Sequence, residues 1–143
     1  MSRAILDDHL LRDLLANDPP PELVDLLRSY EPATTNLYLY RLSKSVAAAR
    51  GGALTGGWSR EHRRSLGAKL VALPDDIVIM PLETIAFRMA EVSTTHRLST
   101  LGAECVAAAK HLDAPLCVWS GDDGPGIRAA MVDLGLDYRT VNR

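Results

Sequence analysis

The sequence has few cysteines, and they do not form the pairs that disulfides or metals use. Cys105 and Cys117 lie in apolar surroundings without a CxxC pair. Such cysteines are typical of a reduced protein core. The four histidines likewise lack the HExxH spacing of a zinc enzyme. The sequence therefore predicts neither a disulfide scaffold nor a zinc site.

Long apolar runs are absent as well. No run approaches the roughly 20 residues of a membrane helix, and the N-terminus lacks the basic and apolar segments of a secretory signal. The apolar fraction of 47% and the charged fraction of 24% are average for a globular protein. We expect a cytoplasmic protein without a membrane partner, folded as a single domain over residues 1–143.

The chain also lacks a large excess of one charge. Its net charge of -2 argues against attraction of nucleic acid to the whole surface. A local patch remains open, because Arg60, Arg63 and Arg64 follow Trp58 closely, and phosphate contacts with RNA need only positive charge and reach. The alternative is a solvated helix face, which we favour because Glu61 interrupts the patch.

Short apolar runs alternate with helical patterns along the chain. Five runs predict strands: residues 4–6, 32–35, 77–80, 116–119 and 138–141. Helical spacing of apolar residues fills the intervals, most clearly over residues 82–96 and 100–112. This alternation predicts a three-layer α/β/α fold around a mostly parallel sheet of about five short strands. A GxGxxG turn and a P-loop ending are both missing, so no dinucleotide or P-loop site is predicted.

Polar residues stand where the predicted strands end, which is where open parallel sheets bind ligands. The candidate cleft residues are Asp7, Asp8, Asn36, Glu83, Ser120, Asp122 and Asp123. Carboxylates at this edge could hold Mg²⁺, which prefers oxygen ligands. An aspartate between a strand and a helix is also a common helix cap, and we favour that role for Asp8 and Asp123.

The second half of the chain carries a more specific pattern. Residues 79–119 contain a helix that approaches the predicted cleft, an alanine-rich helix, and an Ala-Pro-Leu segment that enters the fourth strand. This order, together with a first strand that ends at Asp7, resembles the PIN domain family. The resemblance implies a nuclease whose acidic residues bind Mg²⁺ or Mn²⁺ and direct water at a phosphodiester bond. It also implies a homodimer or a small, antitoxin-like protein partner.

The acidic positions of the family are matched only in part. Asp7 matches the first of them. The other three positions hold Arg41, Gly102 and Ser120. Replacing a carboxylate by a guanidinium changes the local charge by two units, and each unit-charge pair about 4 Å apart contributes about 4 kcal/mol at an effective dielectric of 20. Asp7 alone is therefore not expected to hold a dication.

Arg41 has two possible roles at this position. Paired with Asp7, it would replace the metal by an internal ion pair, which is the role we favour. Alternatively, its planar guanidinium group could bind a phosphate or a carboxylate through two hydrogen bonds. Glu104 would point about 200° away from Gly102 around the helix and does not replace the missing acid. Glu83, which follows the third strand, is the better substitute.

Two functions follow from these residues. The first is a PIN-like domain with a degraded metal site, which acts as a non-catalytic binding or regulatory module and needs no cofactor. The second is a Mg²⁺- or Mn²⁺-dependent ribonuclease of the toxin type, in which Asp7 would bind the metal with Asp122, or with Asp8, Glu83 or Asp123. A third class, a small-molecule-binding α/β domain, would need a pocket that the sequence does not show.

Overall fold

The computed structural model describes residues 1–143 and contains five strands and seven helices. In chain order the elements are β1 (Ser2–Leu6), α1 (Asp8–Leu15), α2 (Pro21–Leu26), β2 (Tyr30–Thr34), α3 (Asn36–Ala47), α4 (Arg60–Val71), β3 (Val78–Ile79), α5 (Leu82–Thr95), α6 (Thr100–Leu112), β4 (Leu116–Trp119), α7 (Pro125–Asp133) and β5 (Tyr138–Val141). A 3₁₀ turn, Ser120–Asp122, follows β4. None of the helices has the length and apolar character needed to cross a membrane.

All five strands form one parallel sheet in the order β3-β2-β1-β4-β5. The central strand is β1, in which Ile5 pairs with Ala33 of β2 on one side and with Leu116 of β4 on the other. Parallel neighbours require crossover connections, and helices provide them here. The predicted α/β fold with about five short strands is confirmed, and its sheet is parallel throughout.

Side chains on the two faces of β1 enter separate cores. Ile5 packs into the core that α6 covers, together with Val106. Ala4 and Leu6 point to the opposite face, where they pack with Leu10 of α1. Ala4, Ile5 and Leu6 are all fully buried, because successive residues of a strand point to opposite faces and both faces of this strand are covered. A central strand of this fold therefore requires an apolar run without alternation.

Helix α6 forms the middle of the larger core. Every residue from Gly102 to Ala109 is buried, and the small alanine side chains allow α5, the sheet and α7 to approach closely. This helix therefore packs on more than one side. The bounds predicted for α6, β4 and β5 also agree with the structure.

Buried polar contacts fix the glycine-rich segment between α3 and α4. Ser45 Oγ accepts hydrogen bonds from the backbone N–H groups of Leu54 and Thr55, both at 3.1 Å. Arg12 Nη1 donates to the carbonyl of Leu54 at 2.7 Å. Leu54 and Thr55 are buried as a result. Partners from α1 and α3 therefore hold this segment.

A buried carboxylate joins α6 to the start of α3. Glu104 is fully buried, and its oxygens accept hydrogen bonds from the N–H of Leu37 at 2.8 Å, the N–H of Asn36 at 3.1 Å and the side-chain amide of Asn36 at 2.9 Å. The first N–H groups of a helix lack partners within the helix, and the helix dipole favours an anion there. Glu104 therefore completes the N-terminus of α3 from a different helix.

We expect Glu104→Ala to lower the free energy of unfolding by about 3 kcal/mol, because three part-buried donors would lose the acceptor that a fully buried carboxylate provides. Chemical denaturation followed by circular dichroism measures this change. Glu91→Ala, at an exposed position of α5, is the matched control and should change the stability by less than about 0.5 kcal/mol. A loss below about 1 kcal/mol for Glu104→Ala would contradict the expectation, since water would then satisfy these donors.

Candidate functional site

Three aspartates and one histidine form a cluster at the carboxyl ends of the adjacent strands β1 and β4. Asp7 follows β1, Asp8 and His9 begin α1, and Asp122 lies in the turn after β4. One ligand atom from each of these side chains lies within 4.8 Å of the others. The pairing of β1 with β4 thus brings together residues from opposite ends of the chain, at the edge where open parallel sheets bind ligands.

Asp7 is buried and ties two chain segments together. Its Oδ1 accepts a hydrogen bond from the N–H of Leu10 at 2.9 Å, which caps α1, and its Oδ2 accepts from the N–H of Trp119 at 3.0 Å. Burial disfavours the charged form and raises the pKa of Asp7 to about 7. The two backbone hydrogen bonds lower this pKa, whereas the negative charge of Asp8 raises it further.

Asp8 is fully buried in the first turn of α1. The capping role predicted for Asp8 is wrong, because the extended backbone of Asp7 makes that residue the cap. Oδ1 of Asp8 accepts from the N–H of His9 at 3.0 Å and faces its Nδ1 at 3.2 Å. Oδ2 has no hydrogen bond of good geometry and lies 3.2 Å from Nε of Arg41. This second oxygen therefore relies on an ion pair alone.

Arg41, on α3, brings a positive charge to the cluster. The predicted pair with Asp7 is wrong, since the guanidinium contacts Asp8 instead. The Arg41 side chain is 45% exposed and the Asp8 side chain 0%, so the pair connects a buried carboxylate to solvent. Solvent screens such a pair. Without a cation, however, the buried carboxylate would lack compensation for its lost hydration.

Asp122 and His9 form the outer side of the cluster. Nδ1 of His9 lies 3.7 Å from Oδ2 of Asp122, and its imidazole packs against the indole of Trp119 with ring centroids 4.6 Å apart. Gly121 also lies against this indole, because a Cβ at that position would be only 2.4 Å from the ring. Only glycine permits this close approach of the turn that carries Asp122.

Four of the predicted cleft residues lie outside the cluster, namely Asn36, Glu83, Ser120 and Asp123. Asn36 Nδ2 donates to the carbonyl of Met80 at 2.8 Å and to Glu104. Glu83 is exposed in the first turn of α5, which follows the edge strand β3. Ser120 is exposed in the turn after β4. The structure therefore does not add Glu83 to the aspartates as a substitute acid.

Asp123 points away from the cluster and holds the turn in place. It accepts hydrogen bonds from Arg128 at 2.8 Å and from the hydroxyl of Tyr138 at 2.7 Å. These two bonds lower its pKa. The predicted cap is wrong here too, because the N-cap of α7 is Gly124. Asp123 thus anchors the segment that carries Asp122.

Two residues of this region were missing from the predicted set. His9 follows Asp8 in the first turn of α1. Its position directly after two aspartates is the only feature of the sequence that indicates a place in the cluster. Glu104 is the one charged residue in the buried stretch from Gly102 to Ala109, and such an isolated charge indicates an internal partner. A Cβ at Gly102 would instead meet Ile127, so the two positions face different neighbours.

The three arginines of the predicted basic patch lie in the first turns of α4. Arg60 and Arg64 are exposed. Arg63 is buried, and its guanidinium donates to the carbonyls of Ala48 and Ala49 at the end of α3. Cations often bind the last carbonyls of a helix in this way. The patch therefore consists of two solvated side chains and one that joins α4 to α3.

Comparisons with known proteins identify similar folds. No protein family model and no curated protein matches the chain. A chain of a toxin-antitoxin complex from Klebsiella pneumoniae is similar, with a TM-score of 0.55 and 17% identity over 87% of this chain and 92% of that chain. A chain in the structure of FitAB bound to an IR36 DNA fragment is similar with a TM-score of 0.61 and 14% identity, over 97% of this chain and 94% of that chain. These likenesses show a shared fold over nearly the whole chain.

The raised pKa of Asp7 predicts a pH-dependent stability. The folded state holds a proton on Asp7 between the unfolded pKa of about 4 and the folded pKa of about 7. The free energy of unfolding should therefore fall by about 2 to 3 kcal/mol from pH 5 to pH 7, since one pKa unit corresponds to about 1.4 kcal/mol. Asp7→Asn should lack this decrease, as measured by urea unfolding across the pH range. The exposed Asp18→Asn is the control, and an unchanged slope in Asp7→Asn would contradict the assignment.

Proposed function

We propose that this protein is a PIN-like domain of the toxin-antitoxin type with a degraded metal site, acting as a non-catalytic binding or regulatory module. The observation that carries the proposal is the ion pair between Arg41 and the buried Asp8. The fold supports it, because the similar chains come from a toxin-antitoxin complex and from DNA-bound FitAB. The same likeness supports a small, antitoxin-like protein as the partner.

The charges around Asp8 favour a guanidinium over a dication. Nε of Arg41 is 3.2 Å from Oδ2 of Asp8, so a dication on that oxygen would lie beside a positive charge. Each unit-charge pair about 4 Å apart contributes about 4 kcal/mol at an effective dielectric of 20. Compared with a carboxylate at the same position, Arg41 would weaken the binding of a dication by several kcal/mol.

The carboxylate oxygens of the cluster already have other partners. Both oxygens of Asp7 accept backbone N–H groups, and the two oxygens of Asp8 face His9 and Arg41. The half-exposed Asp122 is the one carboxylate of the cluster whose oxygens have neither a hydrogen bond nor an arginine beside them. Mg²⁺ requires a nearly octahedral set of oxygen ligands, so the residues present fit an internal cation better than Mg²⁺.

A ribonuclease is the second candidate, and the compactness of the cluster favours it. Asp7, Asp8, His9 and Asp122 would hold Mg²⁺ or Mn²⁺, since each carboxylate oxygen retains a second lone pair. The ion would supply Lewis acidity and activated water for phosphodiester hydrolysis. In this function Arg41 would have to leave Asp8, which its partial exposure permits.

We expect Arg41→Glu to create a Mn²⁺ site that the unchanged protein lacks. The substitution removes the cation that competes for Asp8 and adds a carboxylate beside it. Isothermal titration with Mn²⁺ measures binding, which should reach micromolar affinity only in Arg41→Glu. Lys44→Glu is the matched control, because it makes the same change of charge at an exposed position of the same helix, outside the cluster.

The opposite result would establish the ribonuclease. In that case the unchanged protein would bind Mn²⁺, lose the binding in Asp7→Asn, and cut RNA in a reaction that a chelator stops. Catalytically inactive preparations of Asp7→Asn would exclude a contaminating nuclease. A protein that neither binds Mn²⁺ nor cuts any of several RNAs would leave the binding module as the function.

A further inference from the structure

One face of α4 carries charge and a glycine where helices usually carry apolar side chains. Arg60, Arg63, Arg64 and Gly67 are spaced i, i+3, i+4 and i+7, so they lie along one side of the helix. All four line a cavity of about 620 Å³ between α4 and the end of α3. A stripe of this spacing usually packs against a neighbour, whereas here it faces open space.

These residues lower the stability of the helix. Arginines at positions i and i+4, such as Arg60 and Arg64, repel each other, and a glycine inside a helix costs about 1 kcal/mol relative to alanine. Packing does not require the glycine. A Cβ at Gly67 would meet Cγ1 of Val46 at 3.5 Å, an ordinary contact, and nothing else within 4 Å beyond the backbone of its own helix. Residues that oppose the local structure without a packing reason are typical of a functional site.

The three arginines have no carboxylate to compensate their charge. None of them has a carboxylate oxygen within 4.0 Å, although Glu61 lies in the same turn of α4. Elsewhere on the surface, Arg128 pairs with Asp123 and Arg139 pairs with Asp137. The charge of the three arginines is therefore available to an anion that enters the cavity.

Arg63 has a fixed position in the cavity wall. It is 9% exposed, and its guanidinium donates to the carbonyls of Ala48 and Ala49. The end of a helix carries only about half a negative charge, so these carbonyls do not cancel the unit charge of the guanidinium. Its Nε is buried without a hydrogen-bond partner. Arg63 thus keeps a positive charge in the wall, and the exposed Arg60 and Arg64 supply donors that a ligand can reach.

The α3 side of the cavity is apolar. Val46 and the alanines at positions 47–49 line it. Binding sites for small molecules have volumes of about 300–1,000 Å³ and combine apolar surface with a few placed polar groups. An inorganic anion would use the arginines but leave the apolar side in water. The charge is also confined to two turns of one helix, which suits a single anionic group rather than a polymer.

We propose that this cavity binds a small amphipathic anion. Its carboxylate or phosphate head would lie on Arg60 and Arg64, beside the charge of Arg63, and its apolar body would pack against Val46 and the alanines. The site goes beyond the proposed function and does not depend on it, because none of its residues belongs to the aspartate cluster.

Fluorescence titration with anilinonaphthalene sulfonate, which has an anionic head on an apolar body, tests this proposal. The probe should bind the unchanged protein, and octanoate or octyl phosphate should displace it; the stronger competitor identifies the head as a carboxylate or a phosphate. The neutral phenylnaphthylamine should bind at least about tenfold more weakly, because it lacks the charge that the arginines bind.

Two double variants test the role of the arginines. Arg60→Gln/Arg64→Gln should weaken binding of the sulfonate probe at least about tenfold, because the head would lose charge-assisted hydrogen bonds. Arg88→Gln/Arg97→Gln removes the same charge at exposed positions outside the cavity. This control should change the affinity less than about threefold.

Gly67→Leu tests the cavity itself. The leucine side chain would fill the space beside Val46 and should abolish binding of the probe. Thermal unfolding should show no loss of stability, because leucine is a better helix former than glycine. Ala68→Leu places a leucine at the neighbouring exposed position, outside the cavity, and should leave binding unchanged.

Four outcomes would overturn the proposal. They are no binding to the unchanged protein, equal loss in both arginine variants, unchanged binding in Gly67→Leu, and displacement of the probe by polyglutamate at the same carboxylate concentration as octanoate. The first would show that there is no site, and each of the others would show binding to surface groups or to charge alone.

Discussion

The two hydrogen bonds that Asp7 accepts from backbone N–H groups organise the carboxyl ends of β1 and β4. One fixes the start of α1 through Leu10, and the other fixes the end of β4 through Trp119. The first bond fixes the positions of Asp8 and His9, because they are the first residues of the capped helix. The position of Asp122 follows from the second, because its turn begins where β4 ends. A residue matched to a catalytic acid by resemblance is thus also a structural one, and its burial is the reason for its raised pKa.

The cluster combines features of a metal site with the charge balance of an ion-pair network. Its ligand atoms are close enough to share an ion, yet the deepest carboxylate faces a guanidinium from the neighbouring helix. Removing one partner of such a pair leaves an uncompensated buried charge. The Arg41 side chain therefore compensates the buried charge of Asp8 at the same place where it would oppose a dication.

Much of the fold could be predicted from the sequence, because apolar periodicity reports burial directly. The strands and the alanine-rich α6 follow from runs that must be buried on two or more sides. The errors have two sources, a local backbone conformation and partners that come from distant elements. Asp7 rather than Asp8 caps α1, a difference of one residue that depends on the extended backbone at Asp7. Arg41 meets Asp8, and Glu104 satisfies the start of α3, through packing that local patterns do not encode. The buried Leu54 and Thr55 show the same limit within a glycine-rich segment.

Residues 41–69, which span parts of α3 and α4, carry seven of the sixteen basic residues and one of the eighteen acidic residues, so positive charge is concentrated in this part of the molecule. A net charge of -2 describes only its behaviour at long range, where the field of a few charges is weak and salt screens it beyond about 8 Å at physiological ionic strength. Closer in, an approaching polyanion experiences repulsion from one side and attraction from the other. The molecule is therefore turned toward such a ligand before the two touch, and orientation of this kind raises association rates without adding a single contact to the complex.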